Sequence, residues 1–193
     1  MADIIDEKLC QWTQGKSELD ARITIYNKIR NIPYAVIPEL NSPERYIDII
    51  KLNKGSCTPK HFLLCHMYQK IGLEVLYVVY PFRWDEFETM YPPDLRQLAR
   101  AMTTSYHLAC RVNLDGRLML VDATIDPPLQ KIGLAVNIEW DGRSDTLLAM
   151  QPCGAEEIYH PNEALLMPPR IVDKESLEFY NSLNFWLEKI RAS

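Results

Sequence analysis

Hydrophobic residues recur three or four positions apart in several stretches of the chain, with polar residues between them. This spacing puts the hydrophobic side chains on one side of an α-helix. Ser17 is the predicted N-cap of the second such stretch, and Pro33 lies just beyond its end. Helices are expected over residues 3–13, 16–31, 43–51, 93–102 and 173–190.

The residues that follow Cys57 predict a different kind of helix, because apolar and aromatic side chains occupy nearly every side of it. Such a helix is buried inside a domain. It is expected to cover residues 57–71, after a turn in which Gly55 supplies permissive backbone angles and Ser56 is the N-cap. Cys57 would then lie at the positive end of a buried helix, where a thiolate is favoured.

Residues typical of β-strands follow this helix. The stretch from Leu73 to Tyr80 predicts a buried strand. Asp115-Gly116 lies between two β-rich stretches, which is a strong signal for a hairpin. The hairpin strands are predicted over residues 104–113 and 117–124, and one or two further strands near 133–140 and 145–150. The mixture of helices and strands predicts an α+β fold.

The hairpin register brings two polar residues together. If Asp115 and Gly116 form the loop, Ala109 faces Asp122, and His107 lies diagonal to Asp122 on the same face of the sheet. Diagonal neighbours are ~7–8 Å apart at the backbone, so the imidazole and the carboxylate can form a hydrogen bond. A slip of one residue would separate them. The opposite face is apolar and is expected to face the core: Tyr106, Leu108, Cys110, Val112, Met119, Val121 and Ala123.

A cysteine, a histidine and a carboxylate in this arrangement are typical of nucleophilic catalysis. Cys57 would be the nucleophile, His107 the general base and then acid, and Asp122 the group that orients the imidazole. Each residue also has a simpler explanation: Cys57 as a small buried hydrophobic residue, His107 as a structural histidine, and Asp122 as a strand-end cap. Asp126 is a weaker candidate for the carboxylate.

Several other residues are candidates for supporting roles. The amide of Cys57 is expected to help bind an oxyanion, and Asn53, Tyr34 and Tyr46 are candidate side-chain donors. Lys60 is expected at the edge of the cleft or facing solvent.

Two further groups are of interest. His61 and His66 could form a metal site with Cys65, but the spacing of paired ligands is missing, so no metal or cofactor is predicted. The simpler expectation is that His61, like Lys60, lies at the edge of the cleft or faces solvent. Aromatic residues between positions 80 and 91 are candidates for a substrate groove or for the core: Tyr80, Phe82, Trp84, Phe87 and Tyr91.

Composition narrows the class of protein. The 193 residues predict one domain, with N-terminal helices over 1–52, a core over 53–125, and C-terminal strands and a helix over 126–193. A net charge of −5 without a basic cluster argues against nucleic acid and membrane partners, and no apolar run reaches the ~20 residues of a membrane span. The five cysteines form an odd count with no signal peptide before them, which predicts reduced thiols and a cytoplasmic location.

The segments KGSCTPKHFLLCHMYQKIGLEVLYVVY and SYHLACRVNLDGRLMLVDATID resemble the core of the transglutaminase-like superfamily. The resemblance covers residues 20–125 and, more loosely, 140–142. It implies a papain-like α+β fold in which the buried central helix packs on an antiparallel sheet. It also implies a catalytic triad of Cys57, His107 and Asp122.

Members of this superfamily include peptidases, amidases, transamidating enzymes and inactive relatives. We therefore expect a cysteine hydrolase, a peptidase or amidase, that acts on an amide or isopeptide bond of a peptide or amide substrate. The alternatives are a catalytically silent module that binds a peptide or protein, and a transamidase that uses an amine acceptor.

Overall fold

The structure is a computed structural model that describes residues 4–86, 91–167 and 172–193. Its α-helices are α1 (Ile4–Thr13), α2 (Glu18–Arg30), α3 (Ile49–Leu52), α4 (Cys57–Lys70), α5 (Pro93–Ala101) and α6 (Lys174–Ala192). The strands are β1 (Val75–Phe82), β2 (Ser105–Leu114), β3 (Arg117–Val121) and β4 (Glu157–Tyr159). Short 3-10 helices cover Pro38–Leu40, Tyr46–Asp48, Trp84–Glu86, Pro127–Ile132 and Pro161–Leu166. No described helix has the length and apolar character needed to cross a membrane.

The four strands form one antiparallel sheet in the order β3-β2-β1-β4. Leu114 pairs with Arg117, which confirms the predicted register of the hairpin. Asp115 and Gly116 both adopt positive φ angles, 55° and 85°. Positive φ at both loop residues is what a tight hairpin turn requires, because it matches the twist of the two strands.

Helix α4 packs against β1 and β2 on one side and against α2 on the other. Nearly all of its side chains are buried, as its composition predicts. A second core lies around α5, α6 and the 3-10 helix after β3. The predicted α+β fold, with a buried helix that carries Cys57 on an antiparallel sheet, is confirmed.

The strands predicted near 133–140 and 145–150 are wrong, because the described chain there is irregular. Side chains make the hydrogen bonds that a paired strand would otherwise make. The side-chain amide of Asn137 bonds both the N–H and the carbonyl of Leu147, and Asp145 accepts a hydrogen bond from the amide of Leu120. Such local side-chain bonds compete with regular secondary structure. The fourth strand lies later, at Glu157–Tyr159.

The turn before α4 has a different cause from the one expected. Gly55 does not have a positive φ, whereas Asn53 does, at 50°. A Cβ atom at Gly55 would lie 2.9 Å from Cγ2 of Ile49, so glycine is required here for close packing. Ser56 occupies the N-cap position but donates its hydroxyl to Asn41 Oδ1 at 2.8 Å instead of capping α4.

The cysteines also differ from expectation. The sulfurs of Cys65 on α4 and Cys110 on β2 are adjacent across the helix–sheet interface, a pairing that the sequence did not predict. Cys57 is buried and Cys10 and Cys153 are exposed, and none of the three is in a disulfide.

Candidate active site

Three elements bring Cys57, His107 and Asp122 together. Cys57 is the first residue of α4, His107 lies near the start of β2, and Asp122 follows the last residue of β3. His107 Nε2 is 2.8 Å from Asp122 Oδ2. The hairpin register is therefore sufficient to bring the imidazole and the carboxylate into hydrogen-bonding distance, as the sequence predicts.

The carboxylate of Asp122 is held by backbone amides as well as by the imidazole. Oδ2 also accepts from the amide of Ala149 at 2.7 Å, and Oδ1 accepts from the amide of Thr124 at 2.9 Å. Burial opposes ionisation, but the charge and hydrogen bond of His107, with smaller contributions from His61 and Thr124, hold the pKa of Asp122 well below its usual value. Asp122 is therefore a fixed anion.

The two ring nitrogens of His107 have different surroundings. A carboxylate can only accept, so Nε2 carries a proton and Nδ1 remains for another partner. Nδ1 makes no hydrogen bond in the described chain. Burial alone would lower the pKa of His107, but the charges of Asp122 and Cys57 and the hydrogen bond to Asp122 raise it to about 10. The imidazole thus favours the charged form, between an anionic carboxylate and the sulfur.

All three side chains are almost completely enclosed. The exposed fractions are 4% for Cys57, 0% for His107 and 2% for Asp122. A cavity of about 200 Å³ lies near the start of α4, and its lining includes Thr58, whose hydroxyl is 4.0 Å from Cys57 Sγ, but not Cys57, His107 or Asp122. The rest of the lining is largely apolar, apart from Asn41 and Tyr106: Pro43, Phe62, Val79, Leu108, Ala164, Leu165 and Met167.

Lys60 and His61 do not edge the cleft or face solvent, contrary to expectation, because both are fully buried. Lys60 Nζ donates to the carbonyls of Arg30 at 3.0 Å and Thr124 at 2.6 Å. Burial lowers the pKa of Lys60 to about 7, and the nearby carboxylates only partly oppose this effect. The apolar neighbours of these two residues in the sequence indicate burial, but their polar side chains gave no sign of which backbone groups they bind.

Asp126, the weaker candidate for the carboxylate, has a different set of partners. Its two oxygens accept from Nε and Nη2 of Arg191, each at 2.8 Å, and Oδ1 also accepts from the amide of Tyr34 at 2.8 Å. Arg191 lies near the end of α6. Asp126 therefore ties the C-terminal helix to the chain that precedes α3.

The other candidates have contacts away from the triad. The hydroxyl of Tyr46 bonds Nδ1 of His66, and the side chain of Tyr34 belongs to the second core. Asn53 is the left-handed residue that ends α3. No group of three or more potential metal ligands occurs among the described residues.

The aromatic residues between positions 80 and 91 belong to the interior, because those that the structure describes are at most 7% exposed: Tyr80, Phe82, Trp84 and Tyr91. Phe87 lies outside the described residues. Asn41 was not predicted as a site residue, since nothing in the sequence connects a loop asparagine with the turn before Cys57. Asn41 lines the cavity and accepts a hydrogen bond from the hydroxyl of Ser56.

No protein-family model matches the sequence, and no curated protein is significantly similar to it. Among solved structures, the chain is similar to a "Putative Cysteine Protease from Cytophaga hutchinsonii", with a TM-score of 0.44 and 15% identity. The match covers 81% of this chain and 48% of the other, so this chain spans about half of that protein's length. A similarity this distant assigns neither family nor activity, and the function has to rest on the geometry of the site.

Proposed function

We propose that the protein is a cysteine hydrolase that cleaves an amide or isopeptide bond through a triad of Cys57, His107 and Asp122. The observation that carries this proposal is the buried hydrogen bond between His107 and Asp122 beside a cysteine at a helix N-terminus. The bond leaves Nδ1 of His107 for the sulfur. An imidazolium and a helix N-terminus both lower the pKa of a neighbouring thiol, so the pair favours a thiolate at neutral pH.

In the first half of the reaction, the Cys57 thiolate attacks the substrate carbonyl and a carbon–sulfur bond forms. The amides at the start of a helix have no acceptor within it, so that of Cys57 is suited to stabilise the oxyanion. His107 then transfers its proton from Nδ1 to the leaving nitrogen as the carbon–nitrogen bond breaks. The amine departs and a thioester on Cys57 remains.

In the second half, neutral His107 takes a proton from water, and the resulting hydroxide attacks the thioester carbonyl. The carbon–sulfur bond breaks, the carboxylic acid leaves, and the thiolate–imidazolium pair is restored. Asp122 keeps its charge throughout and holds the imidazole in one orientation. Hydrolysis is favoured over transamidation because water is always available as an acceptor, whereas none of the residues that the structure describes specifies an amine site.

A second candidate function is a catalytically silent module that keeps the triad but only binds a peptide or protein. The near-complete burial of Cys57 and His107 favours it, because a substrate carbonyl has to reach the sulfur. Access to the thiol therefore distinguishes the two functions.

The test is the rate of Cys57 alkylation by iodoacetamide as a function of pH. Cys10→Ser/Cys153→Ser is the background, since those two thiols are exposed and free. The hydrolase predicts alkylation of Cys57 below pH 7 that is lost in His107→Ala. An apparent thiol pKa near 8.5, the value of an unperturbed cysteine, would contradict an activated thiolate.

The silent module predicts a different result from the same background variant. Its thiol would be alkylated only after unfolding in urea, at every pH. Iodoacetamide is small, so a native protein that it cannot label would also exclude a peptide carbonyl from the sulfur.

A further inference from the structure

We propose that His61 is a positioning residue for the triad: its imidazole ring connects the carbonyl of Cys57 to the amide of Ala123. It would thereby fix the end of α4 that carries the thiol against the end of β3 that carries the carboxylate. This role rests on the proposed function of Cys57, but it concerns a fourth side chain, one that does not take part in the acyl transfer.

The two ring nitrogens of His61 each contact a backbone group. Nδ1 is 2.8 Å from the carbonyl oxygen of Cys57, and Nε2 is 3.0 Å from the amide nitrogen of Ala123. A carbonyl only accepts and an amide N–H only donates. Nδ1 must therefore carry the proton and Nε2 must be unprotonated, so the two partners fix the neutral Nδ1–H tautomer.

The neutral form also determines how His61 interacts with Asp122. Nε2 of His61 is 3.6 Å from Asp122 Oδ1. This is too long for a hydrogen bond, and a bare nitrogen would have no proton to donate. Asp122 is therefore left to pair with His107, although the rings of His61 and His107 lie with their centroids 6.2 Å apart.

Protonation of His61 would break the connection, because a proton on Nε2 would point at the amide N–H of Ala123. The titratable groups that act on the ring are Asp122, His107 and Lys60, and the carbonyl of Cys57 contacts it through the backbone. Burial is the largest influence and lowers the pKa of His61 to about 4, while the charge of Asp122 opposes this shift. The connection is thus stable at neutral and mildly acidic pH.

Lys60, the residue before His61 on α4, also connects α4 to the segment that follows β3. Its ammonium donates to the carbonyl of Thr124, next to Ala123. Two consecutive buried side chains thus bind one amide and one carbonyl of the short segment that follows Asp122. A side chain that only filled space at position 61 would not need the two hydrogen bonds of His61, to the carbonyl of Cys57 and from the amide of Ala123.

Two measurements test this role. The first is the ¹⁵N–¹H NMR spectrum of the histidine rings of the wild type, with the His61 signals assigned by their loss in His61→Phe. We expect Nδ1 of His61 to be protonated and Nε2 to be unprotonated, and both protonation states to stay the same between pH 5.5 and pH 9. Protonation at Nε2, or titration near the ordinary histidine pKa of about 6.5, would overturn the proposal.

The second measurement is the pH profile of Cys57 alkylation in variants of the Cys10→Ser/Cys153→Ser background. His61→Phe should lower the rate at pH 6 at least tenfold, and His61→Gln, which can still accept from Ala123, should recover part of that loss. The matched control is Tyr68→Phe, which removes another buried hydrogen bond from α4, to the carbonyl of Arg22 at 3.0 Å. It should leave the profile unchanged.

The outcomes separate this role from the proposed function. A wild-type profile in both His61 variants would overturn the role of His61 alone. An equal loss in Tyr68→Phe would also overturn it, because the effect would then reflect general destabilisation. A wild type that reacts as an ordinary thiol would overturn the proposed function, and with it any role for His61 in that reaction.

Discussion

Asp122 and Asp126 lie on the same short segment after β3, and each is 2% exposed. Asp122 is bound by His107 and by backbone amides. Asp126 accepts hydrogen bonds from Nε and Nη2 on one edge of the Arg191 guanidinium and from the amide of Tyr34. The pKa of each carboxyl is held below its usual value despite burial, and in each case a cation is responsible.

The difference between these sites lies in the partner. Arginine keeps its charge at any pH that a protein experiences, so the pair of Asp126 and Arg191 can only be structural. A histidine can give up and regain a proton in the course of a reaction, which arginine cannot, so the pair of Asp122 and His107 can take part in proton transfer. Two equally buried aspartates on one segment therefore have different capabilities, and residue type and burial alone do not distinguish them.

The largest expected effect on stability is at the Asp126 site. Arg191→Met leaves a buried carboxylate without its cation, and breaking such a pair costs about 3–5 kcal/mol. We expect that loss in the free energy of unfolding measured in urea at pH 7. The control is Lys54→Met, since the pair of Lys54 and Glu188 is about half exposed and contributes less than about 1 kcal/mol. Equal losses in the two variants would show that the Asp126 pair is not a structural anchor.

The next effect separates the two carboxylates by their influence on the thiol. In Asp122→Asn the imidazolium loses its counter-charge, so the thiol pKa should return toward 8.5 and alkylation of Cys57 at pH 6 should fall about 100-fold. Asp126→Asn should leave the rate within about twofold while the protein remains folded. If both variants retained the wild-type rate, Asp122 would have no influence on the sulfur.

The contact between His107 and Asp122 could be predicted from the sequence because local rules determine it. The Asp115-Gly116 turn fixes the register, and the register places His107 diagonal to Asp122. The pair of Asp126 and Arg191 could not be predicted from local rules. Arg191 lies 65 residues further along the chain, and only the packing of α6 brings it into contact with Asp126. The same limit applies to residues 133–150, where contacts between side chains and backbone override strand propensity.

The buried positions of Lys60 and His61 were missed for a related reason. A polar residue on an apolar helix is most simply placed at its exposed edge, because burying it without partners is costly. Here the partners are backbone groups that follow Asp122, and Arg30 at the end of α2. Such partners become visible only once the packing of α4 is known.

Lys60 also provides a pH-dependent test, since the charges of both aspartates act on its ammonium. Burial lowers its pKa from 10.5 to about 7, so the folded protein binds fewer protons than the unfolded chain between these values. Stability from this group therefore rises with pH across the window from 7 to 10.5. The stability of the wild type relative to Lys60→Met should increase by about 1.4 kcal/mol per pH unit there. A pH-independent difference in urea unfolding would contradict a buried, titrating lysine.

The smallest expected effect concerns the backbone of Asp122 rather than its charge. The hydroxyl of Tyr26 donates to the carbonyl of Asp122 at 3.0 Å, and both groups are buried. Tyr26→Phe removes this single neutral hydrogen bond, so the free energy of unfolding should fall by about 1 kcal/mol. The pH profile of Cys57 alkylation should not change, because the amides of Thr124 and Ala149 and the ring of His107 still hold the carboxylate. A shifted profile in this variant would mean that the Asp122 site tolerates less movement than the Asp126 site, and that position, not charge alone, sets the reactivity of the thiol.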